Sequence, residues 1–167
     1  MEVGFNYGFT RVNLGNTAPA FTQNGGSGYV EYNINKVVGL VADLGAYHNG
    51  DINSFQIDNT TFTYLFGPRF NWRMSKVTLY TQTLVGGART SASYTPTSGT
   101  TPVTGHQNGF ATALGGGMDI ALSHLISVKP IQLEYLMTQD PNPFTQVNHI
   151  QNDLRYSAGI VLKFGAK

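Results

Sequence analysis

The chain has 167 residues, a formal net charge of +1, only 11% charged residues, no cysteine, and 10 Phe, 9 Tyr and 20 Gly. This length is one domain's worth of material; without a basic cluster it does not read as a nucleic-acid binder, and without cysteine it has no disulfide framework, thiolate nucleophile or zinc–thiolate site. The charged share is less than half of the usual ~25%, so aromatics, Gly, Thr, Ser, Asn and Gln must cover the surface, a composition that suits lipid contact better than water.

Alternation with a period of two governs the chain. Val3, Phe5, Tyr7 and Phe9 alternate with Gly4, Asn6, Gly8 and Thr10. Val30, Tyr32 and Ile34 alternate with Tyr29, Glu31 and Asn33, and Val38, Leu40, Ala42, Leu44 and Ala46 with Gly39, Val41, Asp43, Gly45 and Tyr47. Phe62, Tyr64, Phe66 and Phe70 stand against Thr61, Thr63, Gly67 and Arg69. A fifth segment runs from Val77 to Arg89 with its facing open, because threonines lie on one side and Gln82 on the other. Thr112, Leu114, Met118 and Ile120 then oppose Ala113, Gly115, Gly117 and Asp119; a seventh segment covers Ile126 to Thr138. In the eighth, Tyr156, Ala158, Ile160, Leu162 and Phe164 oppose Arg155, Ser157, Gly159, Val161 and Lys163.

Each segment is read as a strand of about ten residues, the length that crosses a bilayer when tilted near ~45°. Long polar connections are expected over 11–26, 48–59, 90–108 and 139–151, and short turns near Asn35-Lys36, Asn71 to Ser75 and Ser123-His124. No apolar run is long enough for a transmembrane helix. No secretory signal precedes the first alternating segment, so an exported chain is expected here in its mature form.

The charged residues decide which face is which. Glu31, Asp43, Arg69, Asp119, Arg155 and Lys163 fall opposite the apolar face, the reverse of a soluble barrel. The expected fold is therefore all-β over residues 1–167 as a single domain: an eight-stranded antiparallel up-and-down transmembrane β-barrel with short periplasmic turns and long extracellular loops. Phe5, Phe9, Phe62, Phe66, Tyr135, Tyr156 and Phe164 are expected to face lipid. Pro130 cannot donate to a ladder, and a bulge there turns Lys129, Gln132 and Glu134 inward together; Pro68 is a candidate for the same role. Glu31, Asp43, Arg69, Asp119, Lys129, Glu134 and Arg155 then form an interior charge network. Asp119–Lys129 and Glu134–Arg155 are cross-strand candidates, because each pair is equidistant from the middle of its connection.

Several pieces carry a family likeness: Leu65-Phe66-Gly67-Pro68-Arg69-Phe70, Leu84-Val85-Gly86-Gly87-Ala88-Arg89, Gly115-Gly116-Gly117-Met118-Asp119 and Gln132-Leu133-Glu134-Tyr135. In this order they resemble the OmpA-like outer-membrane β-barrel family of Gram-negative envelopes. Ser157 to Phe164 resembles that family's sorting signal for the barrel-assembly machinery, with Gly165-Ala166-Lys167 added after the final aromatic. The resemblance implies a bacterial outer-membrane location and contact with outer-membrane lipid and lipopolysaccharide.

The chemistry-bearing residues are sparse. His48, His106, His124 and His149 form no HxxxH pair and read as solvated loop or turn residues. Ser123-His124 lacks the strand–elbow context of a hydrolase. Asp51 and Asp58 are too few carboxylates for a calcium loop, no helix follows Gly115-Gly116-Gly117 to make a phosphate loop, and Glu31, Asp43 and Glu134 read as structural. No cofactor is implied. The expected function is a non-enzymatic outer-membrane protein whose plugged, polar barrel anchors four polar surface loops for structural, adhesion or interaction roles with a surface partner. The alternatives are a lipid-modifying barrel enzyme, which needs a Ser/His/acid cluster on the lipid-facing rim, and a soluble lipocalin-like ligand-binding barrel.

Overall fold

The computed structural model describes residues 1–13, 21–50, 57–94, 103–141 and 148–165. They form eight strands: β1 (Glu2–Asn13), β2 (Phe21–Asn33), β3 (Val38–Gly50), β4 (Ile57–Arg73), β5 (Val77–Tyr94), β6 (Val103–Ala121), β7 (Ile126–Pro141) and β8 (Asn148–Lys163). Each pairs antiparallel with the next, and β8 closes on β1 from Glu2↔Lys163 to Asn13↔Asn152. Closure leaves no unpaired edge.

The strands run to between 12 and 19 residues, longer than the alternating apolar segments predict. The Thr-, Ser- and Asn-rich margins expected to be loop are strand: β2 starts at Phe21, β5 continues to Tyr94 and β6 starts at Val103. Polar residues keep the β-ladder going once a neighbouring strand supplies partners, so hydrophobic patterning understates strand length. The centres of the long connections lie outside the described residues.

The short turns close locally. Asn35 Oδ1 accepts from the Val37 and Val38 amides at 2.8 and 2.7 Å, and Ser123 Oγ from the Leu125 and Ile126 amides at 3.2 and 3.1 Å, side chains standing in for backbone acceptors. Both described chain ends lie beside these turns, where the Phe164 amide donates to the Met1 carbonyl at 2.8 Å.

The register shifts once in each ladder of β7, between Lys129 and Gln132 against β8 and between Met118 and Ile120 against β6. This bulge at Pro130 turns Lys129, Gln132 and Glu134 inward and Ile131, Leu133 and Tyr135 outward. Pro68 makes no such bulge: Phe66↔Val85 and Arg69↔Gln82 keep one register on either side of it. Proline there only interrupts the ladder, and Arg69 still points inward with 1% of its surface exposed. In β5 the open facing resolves with Tyr80, Gln82, Leu84 and Ala88 inward and Leu79, Val85 and Arg89 outward.

Candidate functional site

Two surfaces result, a polar lumen and an apolar exterior. Among the described residues the lumen holds six buried carboxylates (Glu2, Glu31, Asp43, Asp119, Glu134 and Asp153) and three buried cations, Arg69, Lys129 and Arg155. Glycine makes room for its large members. A Cβ on Gly4 would run into the Tyr29 ring, and one on Gly117 into the Tyr80 hydroxyl.

Arg155 is the hub of one half. Its Nε and Nη2 both reach Glu134 Oε2, at 2.7 and 2.6 Å; Nη1 donates to the Tyr47 hydroxyl at 3.1 Å, and Nη2 lies 3.6 Å from Asp43 Oδ1. Glu134 and Arg155 are direct register partners across β7 and β8. Gln82 Nε2 donates to the other Glu134 oxygen at 2.6 Å.

In the other half, Arg69 Nη1 donates to Glu31 Oε2 at 2.9 Å and Nε to Gln82 Oε1 at 2.7 Å, while Asn71 Nδ2 donates to Glu31 Oε1 at 2.6 Å. The Arg69 guanidinium lies between the rings of Tyr29 and Tyr80, 4.5 and 4.3 Å from their centroids. The same two rings hold Lys129 Nζ at 4.3 and 4.6 Å. Such cation–π contacts strengthen where water is excluded. Lys129 Nζ donates to Gln132 Oε1 at 2.9 Å and lies 3.8 Å from Asp119 Oδ1, a charge–charge contact beyond hydrogen-bond length. The Gln82 side chain, bonded to both Arg69 and Glu134, joins the two halves.

The sequence reading missed Tyr29, Tyr80, Gln82 and Asn71 as network members. The lumen is also less uniformly polar than expected: Val41, Leu65, Leu84, Ala111, Leu136 and Val161 fill it alongside the ions.

Outside, Phe5, Phe9, Phe62, Phe66, Tyr135, Tyr156 and Phe164 all point away from the lumen, each 40–55% exposed. On β4 the outward positions from Phe62 to Trp72 are Phe62, Tyr64, Phe66, Pro68, Phe70 and Trp72, and all are exposed. Beyond this band, toward the long connections, the exterior turns polar at one level. Asn24 pairs with His48, His48 with Thr60, Thr60 with Ser91 and Ser91 with His106 around β2 to β6. His48 Nδ1 and Thr60 Oγ1 are 2.9 Å apart, and Ser91 Oγ and His106 Nδ1 3.0 Å. His48 and His106 are thus strand residues, not loop residues. His149 falls at a β8 position and His124 in a turn, while Asp51 lies outside the described residues.

Ser91–His106 is a hydroxyl–imidazole contact on the rim that spacing alone did not reveal, because β5 and β6 bring together residues 15 apart. His48 makes the same contact with a threonine, and among the described residues no side-chain carboxylate on the exterior stands ready to orient either ring. The Ser123 hydroxyl is occupied in closing its turn.

The architecture has known counterparts. The attachment invasion locus protein Ail of Yersinia pestis is similar at TM-score 0.66 and 15% identity, over 98% of this chain and 98% of that one. Neisserial surface protein A gives TM-score 0.65 at 13% identity, over 98% of this chain and 96% of that one. The N-terminal β-barrel domain of Pseudomonas aeruginosa OprF gives 0.53 at 13%, over 98% and 97%. The chain has the fold of the small outer-membrane β-barrels. No protein-family model matches the sequence, and no curated protein matches it.

Proposed function

We propose that this protein resides in a bacterial outer membrane as a non-enzymatic barrel whose polar long connections act at the cell surface, in adhesion or interaction. The inverted polarity carries the reading: the carboxylates are buried in the lumen, and large aromatics are exposed outside. Only a hydrocarbon solvent makes that arrangement favourable. The closed ladder meets the accompanying demand that every backbone polar group find a partner within the protein. The outward apolar span of β4, Phe62 to Trp72, matches the about 9–11 residues that cross a bilayer.

The fold shared with Ail and neisserial surface protein A supports the location. A structure of Ail in complex with the heparin analogue sucrose octasulfate supports a surface-binding role for the long connections here. Outer-membrane lipid and lipopolysaccharide would surround the band, and the barrel-assembly machinery would read the β8 end at Phe164. The lumen is read as plugged, since at eight strands side chains fill the interior.

The test is expression with a signal sequence in a Gram-negative host, followed by fractionation. The protein should sediment with the outer membrane and require detergent for release; recovery in the soluble periplasm would overturn the reading. Ser91–His106 keeps the lipid-modifying alternative testable: the purified barrel should release no fatty acid from phospholipid or lipopolysaccharide. Turnover abolished by Ser91→Ala would replace the present reading.

A further inference from the structure

On the exterior of β1 to β4 lies a groove of about 530 Å³. Its floor is Gly26, Gly28 and Ala46, and Phe5, Leu44 and Phe62 wall it. It opens because β2 carries no outward side chain at two successive positions: Gly26 stands between Tyr7 and Ala46, and Gly28 between Phe5 and Leu44. The lining is almost wholly apolar, so an occupant must be apolar over this length.

The groove ends, toward the long connections, at the polar level of Asn24, His48 and Thr60. Cations flank that end. Arg89 on β5 is the register partner of Phe62, the groove wall, and Arg11 on β1 lies just past Phe9; both are exposed. All six described carboxylate side chains are buried in the lumen, so among the described residues neither arginine meets an exterior acid. The His48 ring, with Nδ1 2.9 Å from Thr60 Oγ1, adds a polar group at the same end. An apolar slot thus ends at polar side chains, with an exposed arginine on either side, Arg11 on β1 and Arg89 on β5.

We propose that this groove holds one phosphate-bearing membrane lipid, with an acyl chain lying over Gly26 and Gly28 and the phosphate at the end of the groove flanked by His48 and Arg89. The assignment rests on the outer-membrane reading and deepens it: the lipid is a resident ligand of one sector of the barrel and not a uniform solvent. Charge complementarity selects an anionic head group, because the described charged side chains at this end, Arg11 and Arg89, are both cationic.

The test uses the full chain refolded in a zwitterionic detergent. It is given equal amounts of phosphatidylglycerol and phosphatidylcholine with identical acyl chains, and native mass spectrometry counts the lipid retained. One phosphatidylglycerol should be retained, favoured about fivefold over phosphatidylcholine, the preference expected for one interfacial arginine. Gly28→Leu should abolish retention of both lipids. A Cβ at Gly28 meets Phe5 Cδ1 at 3.7 Å, an ordinary contact, so this variant fills the groove without disturbing the wall. Arg89→Gln should keep a lipid bound but bring the two to parity. Unchanged Trp72 emission in each variant establishes that the barrel has folded.

Equal retention by Gly28→Leu and the wild type would overturn the proposal. So would a lack of head-group preference in the wild type, or a dimer in place of a lipid adduct. Failure of the wild type to insert into vesicles of either lipid would instead remove the membrane reading itself. Insertion without a retained lipid removes only the groove assignment.

Discussion

Replacing Arg155 with methionine keeps most of the side chain's length and removes its charge. Arg155 is 1% exposed and contacts three groups: Glu134 through two contacts of 2.6 and 2.7 Å, Asp43 at 3.6 Å and Tyr47 at 3.1 Å. After the change, Glu134 retains the Gln82 amide at 2.6 Å, whereas Asp43 Oδ1 loses the cation that lies 3.6 Å from it. Removing one member of a buried ion pair typically costs ~3–5 kcal/mol, because the partner stays buried and uncompensated. Glu134→Gln is the informative contrast. It keeps the side chain's shape and leaves Arg155 beside Asp43, so its cost should stay within the ~1.5–3 kcal/mol of a hydrogen bond to a charged group. The asymmetry arises because two acids surround one cation. The assay is equilibrium urea unfolding in detergent micelles, followed by the emission of Trp72, the sole tryptophan, which is 53% exposed on the outer face. Arg155→Met should be the less stable variant, and adding Glu134→Leu and Asp43→Leu should recover stability relative to Arg155→Met alone. A greater loss for Glu134→Gln than for Arg155→Met would refute the claim that the lumen is short of cations.

The same logic applies to Lys129: Lys129→Met alone should refold less completely than Lys129→Met with Asp119→Leu, which leaves no orphan ion at this contact, and the reverse order would reject it. Phe66→Arg places a cation in the middle of the apolar band and should cost ~2–4 kcal/mol in bilayer refolding, against ~0–1 for Phe164→Arg near the interface; equal costs would contradict the membrane orientation. Gly4→Val should destabilise the barrel by ~1–3 kcal/mol through overpacking against Tyr29, read as a lower urea midpoint that Tyr29→Phe does not restore, since the clash is with the ring. In planar bilayers the purified protein should give no stable, large unitary conductance; such a conductance would overturn the plugged reading.

Adjacent strands were legible and distant ones were not. Alternation identifies every strand and its facing wherever charge or aromatics mark a side, and a proline followed by a shifted pattern marks the bulge at Lys129–Gln132. Glu134 and Arg155 can be matched by counting from the intervening connection because they sit on neighbouring strands. Glu31 and Arg69 escape such counting: they lie 38 residues apart on β2 and β4, with β3 between them. The stacking of Arg69 and Lys129 on Tyr29 and Tyr80 likewise joins β2, β4, β5 and β7 through the lumen. Such chords depend on strand tilt and stagger in the closed barrel, which no hairpin encodes. The rim contacts of His48 and His106 were hidden for another reason. Their strands continue past the apolar band into polar sequence, which reads as loop until a neighbour's ladder is present.

The distribution of charge links these levels. All the described acid side chains point into the lumen, while Arg11, Lys36, Lys76 and Arg89 remain exposed outside it. A chain of net charge +1 thus separates into an acid-rich interior and an exterior whose described charges are cationic. Inside, the excess of acid makes each buried cation a junction: Arg155 serves two carboxylates, while Arg69 and Lys129 share one pair of tyrosine rings. Outside, the cations lie at the two ends of the apolar band, Arg11 past Phe9 and Arg89 level with Phe62 at one and Lys36 and Lys76 at the other, where phosphate groups flank a bilayer's hydrocarbon core. An acid there would face those phosphates at a Coulombic cost, and an arginine in mid-band would face hydrocarbon. The alternation that sorts polar from apolar by face is therefore joined by a second sorting along the strand, by sign of charge, and both follow from the surroundings each position would meet in a membrane.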